Sequence, residues 1–230
     1  MPKASPPIIV LASQSPRRRE LAEAEGWQIE VCPPPETAED EATPRQPSES
    51  LEAWVARLAK TKAEAVVTRF HPAPSGMPRI VLACDTVGVV DDTPLGKPID
   101  RDDAARMLRQ LSGRLHRVLT GSCLWPPGHQ PTLAVTESVL IMPPLSDEFI
   151  ATYLDSGLWR GKAGACGFQD GVIPLELQSG SGSNVIGLPL ETIRNELAWL
   201  TSSTTASSPS SKRLDANDGL SFHWYPAETC

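Results

Sequence analysis

Apolar residues along this chain fall into short runs and helical stripes that alternate. Residues 8–12 form a continuous apolar run, the mark of a short buried strand. It feeds directly into Ser15-Pro16, a good helix N-cap followed by a proline suited to the first helical position, and a helix continues from Glu20. Residues 27–32 predict a second strand, and residues 33–47, rich in proline and acids, a loop. A long amphipathic helix is predicted over 48–70, a Pro/Gly/Ser break over 71–78, and a strongly apolar strand over 80–90. Beyond it the pattern predicts a helix at 102–111, opened by acids and closed near Gly113, then strands at 116–125 and 133–142 around a Pro-Gly turn. A helix at 146–155, a glycine-rich loop at 157–169, a short strand at 172–177 and a final helix at 189–200 complete the series. The alternation predicts a single α/β domain over 8–200 with a mixed, partly parallel sheet. Residues 1–7 are expected to be a flexible N-terminus, and the Ser/Thr-rich residues 201–230 a disordered tail.

Composition narrows the function classes. The 230 residues carry a net charge of −7, with an isoelectric point near 5.2, which argues against a general nucleic-acid binder. No apolar stretch reaches the roughly 20 residues of a membrane span, and no signal-peptide pattern opens the chain, so a soluble cytoplasmic protein is expected. Five scattered cysteines show no paired spacing and imply neither a disulfide framework nor a zinc site.

Against that acidity, Arg17-Arg18-Arg19 stands out at the start of a helix. Cations there oppose the helix dipole unless an anion joins them. Free N–H groups, the Ser13 and Ser15 hydroxyls and guanidinium groups together suit a phosphate, though a solvated first turn is the plainer alternative. On the 48–70 helix, Trp54, Val55, Leu58, Ala59, Ala65 and Val66 share one apolar sector, and Lys62 falls in its middle. That ammonium either meets an anion or snorkels to solvent. In the 80–90 strand Asp85 interrupts an apolar run. It is a candidate general base for water or a ligand for a hard cation, and otherwise a turn cap. Gly96-Lys97-Pro98 places another lysine in a constrained loop.

Ser13-Gln14-Ser15-Pro16-Arg17-Arg18, Leu58-Ala59 with Lys62-Ala63, Asp85-Thr86-Val87, Leu95-Gly96-Lys97-Pro98, Leu111-Ser112-Gly113-Arg114, Thr120-Gly121, Lys162-Ala163-Gly164, Gly167-Phe168-Gln169 and Asn184 to Pro189 follow one another in an order that resembles Maf-like proteins. That family, named for a link to inhibition of septum formation, consists of nucleoside triphosphate pyrophosphatases related in fold to the inosine triphosphate pyrophosphatases. The resemblance implies a cleft between two lobes, and the Ser-Pro-Arg-Arg and Gly-Phe-Gln stretches look most like the branch acting on dTTP and UTP. It assigns proton acceptance to Asp85, substrate discrimination to Arg17, Thr86 and Gln169, and pocket lining to Ser13, Arg18, Lys62 and Lys97. It also implies a divalent cation, Mg²⁺ or Mn²⁺, held by Asp85 with Glu36 as a further metal or water ligand. Glu36 reads equally well as an acidic loop residue in solvent. The implied partner is the nucleotide, with no nucleic acid and no membrane, and homodimerisation stays open.

One departure bears on activity. Family members usually read Asp-Lys-Ala-Gly where this chain has Gly161-Lys162-Ala163-Gly164, so a carboxylate is missing beside Lys162. The glycine at 161 makes plausible a rival function, a catalytically weak nucleotide-binding regulator of cell division; a separate rival within the hydrolases is the 7-methyl-GTP pyrophosphatase branch.

Overall fold

The computed structural model describes residues 6–35, 44–70 and 79–203. Expectations for residues 1–5, for Glu36 and most of its loop, for the break at 71–78 and for the tail beyond 203 lie outside the described residues. Among the described residues seven strands form one mixed sheet: β1 (Ile8–Leu11), β2 (Ile29–Val31), β3 (Arg79–Val90), β4 (Thr93–Leu95), β5 (Leu115–Trp125), β6 (Thr132–Ile141) and β7 (Glu176–Ser179). Their order is β2-β1-β3-β5-β6-β7, with β4 pairing to β3. β1 runs parallel to β2 and β3, and the remaining pairings are antiparallel. The helices are α1 (Pro16–Ala24), α2 (Leu51–Val67), α3 (Arg101–Leu111), α4 (Asp147–Asp155), α5 (Gly182–Ile186) and α6 (Leu190–Ser203).

β3 organises the molecule, and its period-2 alternation decides what faces what. Val81, Ala83, Val87 and Val89 pack under α2, against Val55, Leu58, Ala59, Ala63 and Val66. On the opposite face Ile80, Leu82 and Cys84 pack with Ile9 and Leu11 of β1 and with Leu188, Ile193 and Leu197 around α6. A separate cluster joins Val90 and Leu95 to α3 and α4 through Leu108, Leu111, Ile150 and Tyr153. Two packed bodies result, one around β1 and α2 and one around α3 and α4, with β3 running through both.

Most helix starts follow their caps. Ser15, Ser50, Asp100 and Ser146 each accept a hydrogen bond from the third residue onward, satisfying a first-turn N–H. Four local features depart from expectation. β4 arises from a hairpin whose two-residue turn, Asp91-Asp92, has φ of 48° and 57°. Aspartate tolerates this left-handed region better than most residues, and such turns match the twist of the flanking strands. The strand expected at 172–177 forms instead at Glu176–Ser179, because Pro174 has no N–H to give a ladder. The polar stretch before Pro189 contains α5, capped by Ser181 and ended by Gly187 at φ 108°. α6 also runs to Ser203, past the expected end at 200.

Candidate functional site

β1 ends at Leu11, paired with Leu82, whereas β3 continues for eight further residues. The edge of β3 beyond Leu82 is therefore open on the β1 side until Gly88, where pairing with Leu95 of β4 covers it. The turn into α1 runs past this gap, and a cavity of about 450 Å³ opens there. Ligand clefts in α/β sheets gather where a strand's carboxyl end leaves such an opening.

Asp85 lies in the middle of β3 rather than at its end, on the face that meets α2. Its Oδ1 forms an ion pair with Lys62 Nζ, and the two side chains are 8 % and 12 % exposed. The lysine in the apolar sector of α2 thus meets an anion instead of escaping to solvent. Directly across from Asp85 on β5 stands Gly121. A Cβ there would lie 2.7 Å from the Val55 carbonyl carbon and 3.0 Å from the Ala56 nitrogen. The bare α-carbon lets α2 approach the sheet closely enough for Lys62 to reach the strand.

Thr86 points to the other face, where the Thr120 hydroxyl lies 3.0 Å away. Thr120 donates to the Asn184 carbonyl at 3.1 Å, and buried Asn184 donates to the Val118 carbonyl at 3.2 Å and to the Ser138 hydroxyl at 2.9 Å. Arg18 closes this network. Its Nε donates to the Gly187 carbonyl at 2.8 Å, Nη1 to the Ser13 hydroxyl at 3.3 Å and Nη2 to the Thr86 hydroxyl at 3.1 Å. Ser13 is 4 % exposed and also accepts from the Ser15 N–H at 3.1 Å. It shapes the turn from behind and is not among the groups lining the cavity. Arg17, half-buried, lines the cavity and makes no side-chain hydrogen bond among the described residues.

The opposite wall comes from loops. The Gly164 N–H donates to the Gly96 carbonyl at 3.0 Å, so the Lys97 loop and the 161–170 loop form one surface. Lys97 and Gln169 are exposed at the cavity rim. Lys162 pairs with Asp170, with side chains 10 % and 17 % exposed. Asp170 thus supplies Lys162 with a carboxylate of the kind that the Maf-like resemblance leads one to expect at 161. Gly161 itself has φ +69° and open space beside it, a conformation that favours glycine. Nothing in local sequence periodicity marks Asp170, since its partner is reached only through loop closure.

Asp85, Arg17, Arg18, Lys62, Thr86, Lys97 and Gln169 therefore come together at one cavity, with Ser13 behind it, while Glu36 lies outside the described residues. Sequence reasoning also missed His116, which lines the same cavity and is 5 % exposed. Burial holds its imidazole below the ordinary pKa, against a smaller opposing pull from the Arg114 backbone. The Cys84 and Cys166 thiols are pushed up to about 12 by burial, which leaves them without thiolate nucleophiles at neutral pH. Among the described residues no cluster of three or more His, Cys, Asp or Glu forms a metal cage. Asp85 alone still suits a hard cation of the kind that one or two carboxylates share with substrate phosphates. No helix among the described residues is long and apolar enough to cross a membrane.

The family model described as "Maf-like protein" matches residues 8–200. A dTTP/UTP pyrophosphatase of Rhodopirellula baltica is 42% identical over 189 residues, covering 81% of this chain and 79% of that one. One from Porphyromonas gingivalis is 42% identical with 82% and 92% covered, and one from Symbiobacterium thermophilum 43% identical with 79% and 88% covered. Among solved structures, the nucleoside-triphosphatase / dITP/XTP pyrophosphatase from Mycobacterium abscessus aligns over 87% of this chain and 98% of that one, at 15% identity and a TM-score of 0.39.

Proposed function

Since the chain belongs to the Maf-like protein family, we propose that it hydrolyses nucleoside triphosphates to the monophosphate and pyrophosphate, with dTTP and UTP as substrates. The observation that carries this reading is the Lys62–Asp85 pair facing a cavity whose rim carries further cations. A water oxygen bonds to the α-phosphorus while the bond to the α–β bridging oxygen breaks, and pyrophosphate leaves. Asp85 takes the proton from the attacking water, and Lys62 holds that carboxylate in place. Arg17, the positive end of the α1 dipole and Lys97 face the charge that develops on phosphoryl oxygens and leaving group. Arg18 spends three donors on Ser13, Thr86 and Gly187, so it fixes the shape of the site as well as its charge. Gln169, with an amide that both donates and accepts, suits a pyrimidine edge at the rim.

A divalent cation, Mg²⁺ or Mn²⁺, bound with the triphosphate would be held by Asp85 and phosphate oxygens and would neutralise charge at the reacting phosphorus. Glu36 is a further candidate ligand. The reaction belongs in the cytoplasm on this reading, in line with cysteines that are all unpaired among the described residues. The rival of a weakly active regulator drew on the glycine at 161, and the Asp170 carboxylate on Lys162 speaks against it. The test is release of pyrophosphate from dTTP, UTP and 7-methyl-GTP side by side under saturating Mg²⁺ or Mn²⁺. Turnover of dTTP and UTP to their monophosphates is expected. Preference for 7-methyl-GTP would move the chain to the other branch, and tight dTTP binding without turnover would make it a regulator.

A further inference from the structure

The end of the cavity away from Asp85 is apolar, with one polar ring set into it. His116 stands near the start of β5, opposite Leu140 of β6, and shares the wall with Leu111, Val118, Leu140 and Leu175. Among the described residues its Nδ1 is buried on the side of the Arg114 backbone and makes no well-formed hydrogen bond, so the Nε2 edge of the ring is the one left to meet a ligand. A polar ring set in an apolar cavity wall costs burial free energy, and a protein retains it more readily where a ligand bonds its accessible edge. The imidazole is neutral at neutral pH, because burial depresses its pKa, so one ring nitrogen donates and the other accepts.

Position narrows the ligand. His116 and Thr120 share one face of β5, and Thr120 sits opposite Thr86 at the cationic end. Four residues of strand separate them, roughly 13 Å at about 3.3 Å per residue. A triphosphate held among Arg17, Arg18, Lys62 and Asp85 directs its uncharged part toward the apolar end, where a flat ring gains by burial and phosphate does not. We propose that His116 is a specificity-determining residue that recognises the nucleobase, a ring nitrogen of its imidazole bonding one polar edge of the pyrimidine. This rests on the hydrolase reading above and names the part of the substrate that this wall reads.

His116→Phe keeps a flat ring and removes both nitrogens. Its KM for dTTP should rise about tenfold while kcat stays within about twofold, the loss of one hydrogen bond made before the chemical step. Inhibition by inorganic tripolyphosphate, which has no base, should be unchanged. An unaltered KM for dTTP would overturn the proposal, and so would a matching loss of tripolyphosphate inhibition, since a merely structural role weakens both. Should the variant fail to fold, ring ¹⁵N resonances of the unmodified protein decide. The His116 signals should move on saturation with dTTP and stay in place with tripolyphosphate, and no movement with dTTP would overturn the assignment. A parent protein that binds dTTP without releasing pyrophosphate would defeat the hydrolase reading while these resonances still decide the role of His116.

Discussion

Two lysine–aspartate pairs bring their lysines to one cavity, and they differ in what carries them. Lys62 and Asp85 project from α2 and β3, two regular elements packed through a shared core. Lys162 and Asp170 both belong to a single loop, eight residues apart, and close around Gly167, where any Cβ would collide with both side chains. A pair between regular elements is placed by packing that neither partner controls, so its geometry is rigid and available for chemistry. A pair within a loop is placed by its own closure and can reorganise when an anion arrives.

Asp85→Asn probes the rigid pair and should have the largest effect. Turnover is expected to fall by at least about a hundredfold while nucleotide binding survives, because the amide cannot accept the proton from water. Steady-state rates and equilibrium binding measured together check this, and unchanged turnover would remove Asp85 from the mechanism.

The same contrast explains what could be read in advance. Lys62 is legible because 100° steps along a helix put it among Trp54, Val55 and Leu58. Asp85 is legible because it interrupts a strand buried on both faces. The helix starts after Ser15 and Ser146 follow local signals, whereas α2, expected from 48, begins at Leu51 after Ser50. What escaped depends on contacts between distant segments. Asp170 and His116 have no periodic signature, Asp91-Asp92 gives a weak turn signal without glycine, and Ser13 sits behind the cavity only because Arg18 bridges it to Thr86. The register of β7 likewise depends on a partner strand and on a proline that denies it a hydrogen bond.

Glu196 on α6 sharpens the comparison, being a carboxyl whose buried Oε2 has no hydrogen-bond partner among the described residues. Burial raises its pKa from 4.5 to about 7. The folded state therefore holds this proton more tightly than the unfolded chain does. The resulting penalty is absent below about pH 4.5, grows as pH rises and is complete above about pH 7, where at about 1.4 kcal/mol per pH unit it reaches about 3 kcal/mol. Glu196→Gln should be more stable than the parent by up to that amount at pH 8 and nearly equal to it near pH 4.5. Denaturant unfolding at both pH values tests it, and an offset independent of pH would show that ionisation is not the cause.

Gly121→Ala tests whether the rigid pair owes its geometry to the close approach of α2. The added methyl meets the backbone of Val55 and Ala56 rather than a movable side chain, so the helix must shift. A loss of about 2 kcal/mol in stability is expected, as for other overpacked sites. Turnover should fall with it, because Lys62 moves with the helix. Full activity in a destabilised variant would show that the pair tolerates displacement of α2.

Asp170→Asn addresses the loop pair and should have the smallest effect. Lys162 lies on the cavity wall, so once its carboxylate is neutralised the ammonium can turn to water or to a bound phosphate, and the expected stability loss is about 1 kcal/mol. Saturating triphosphate should narrow that difference, since phosphate oxygens then replace the lost carboxylate. Thermal unfolding with and without nucleotide reads both quantities. Gly161→Asp added to the variant should recover part of the loss. The space beside Gly161 is open, aspartate accepts a left-handed backbone at modest cost, and the new carboxylate adjoins the same lysine. No recovery, in a double variant that folds, would mean that Lys162 needs its anion on the Asp170 side alone, and that the loop closes through geometry rather than through charge.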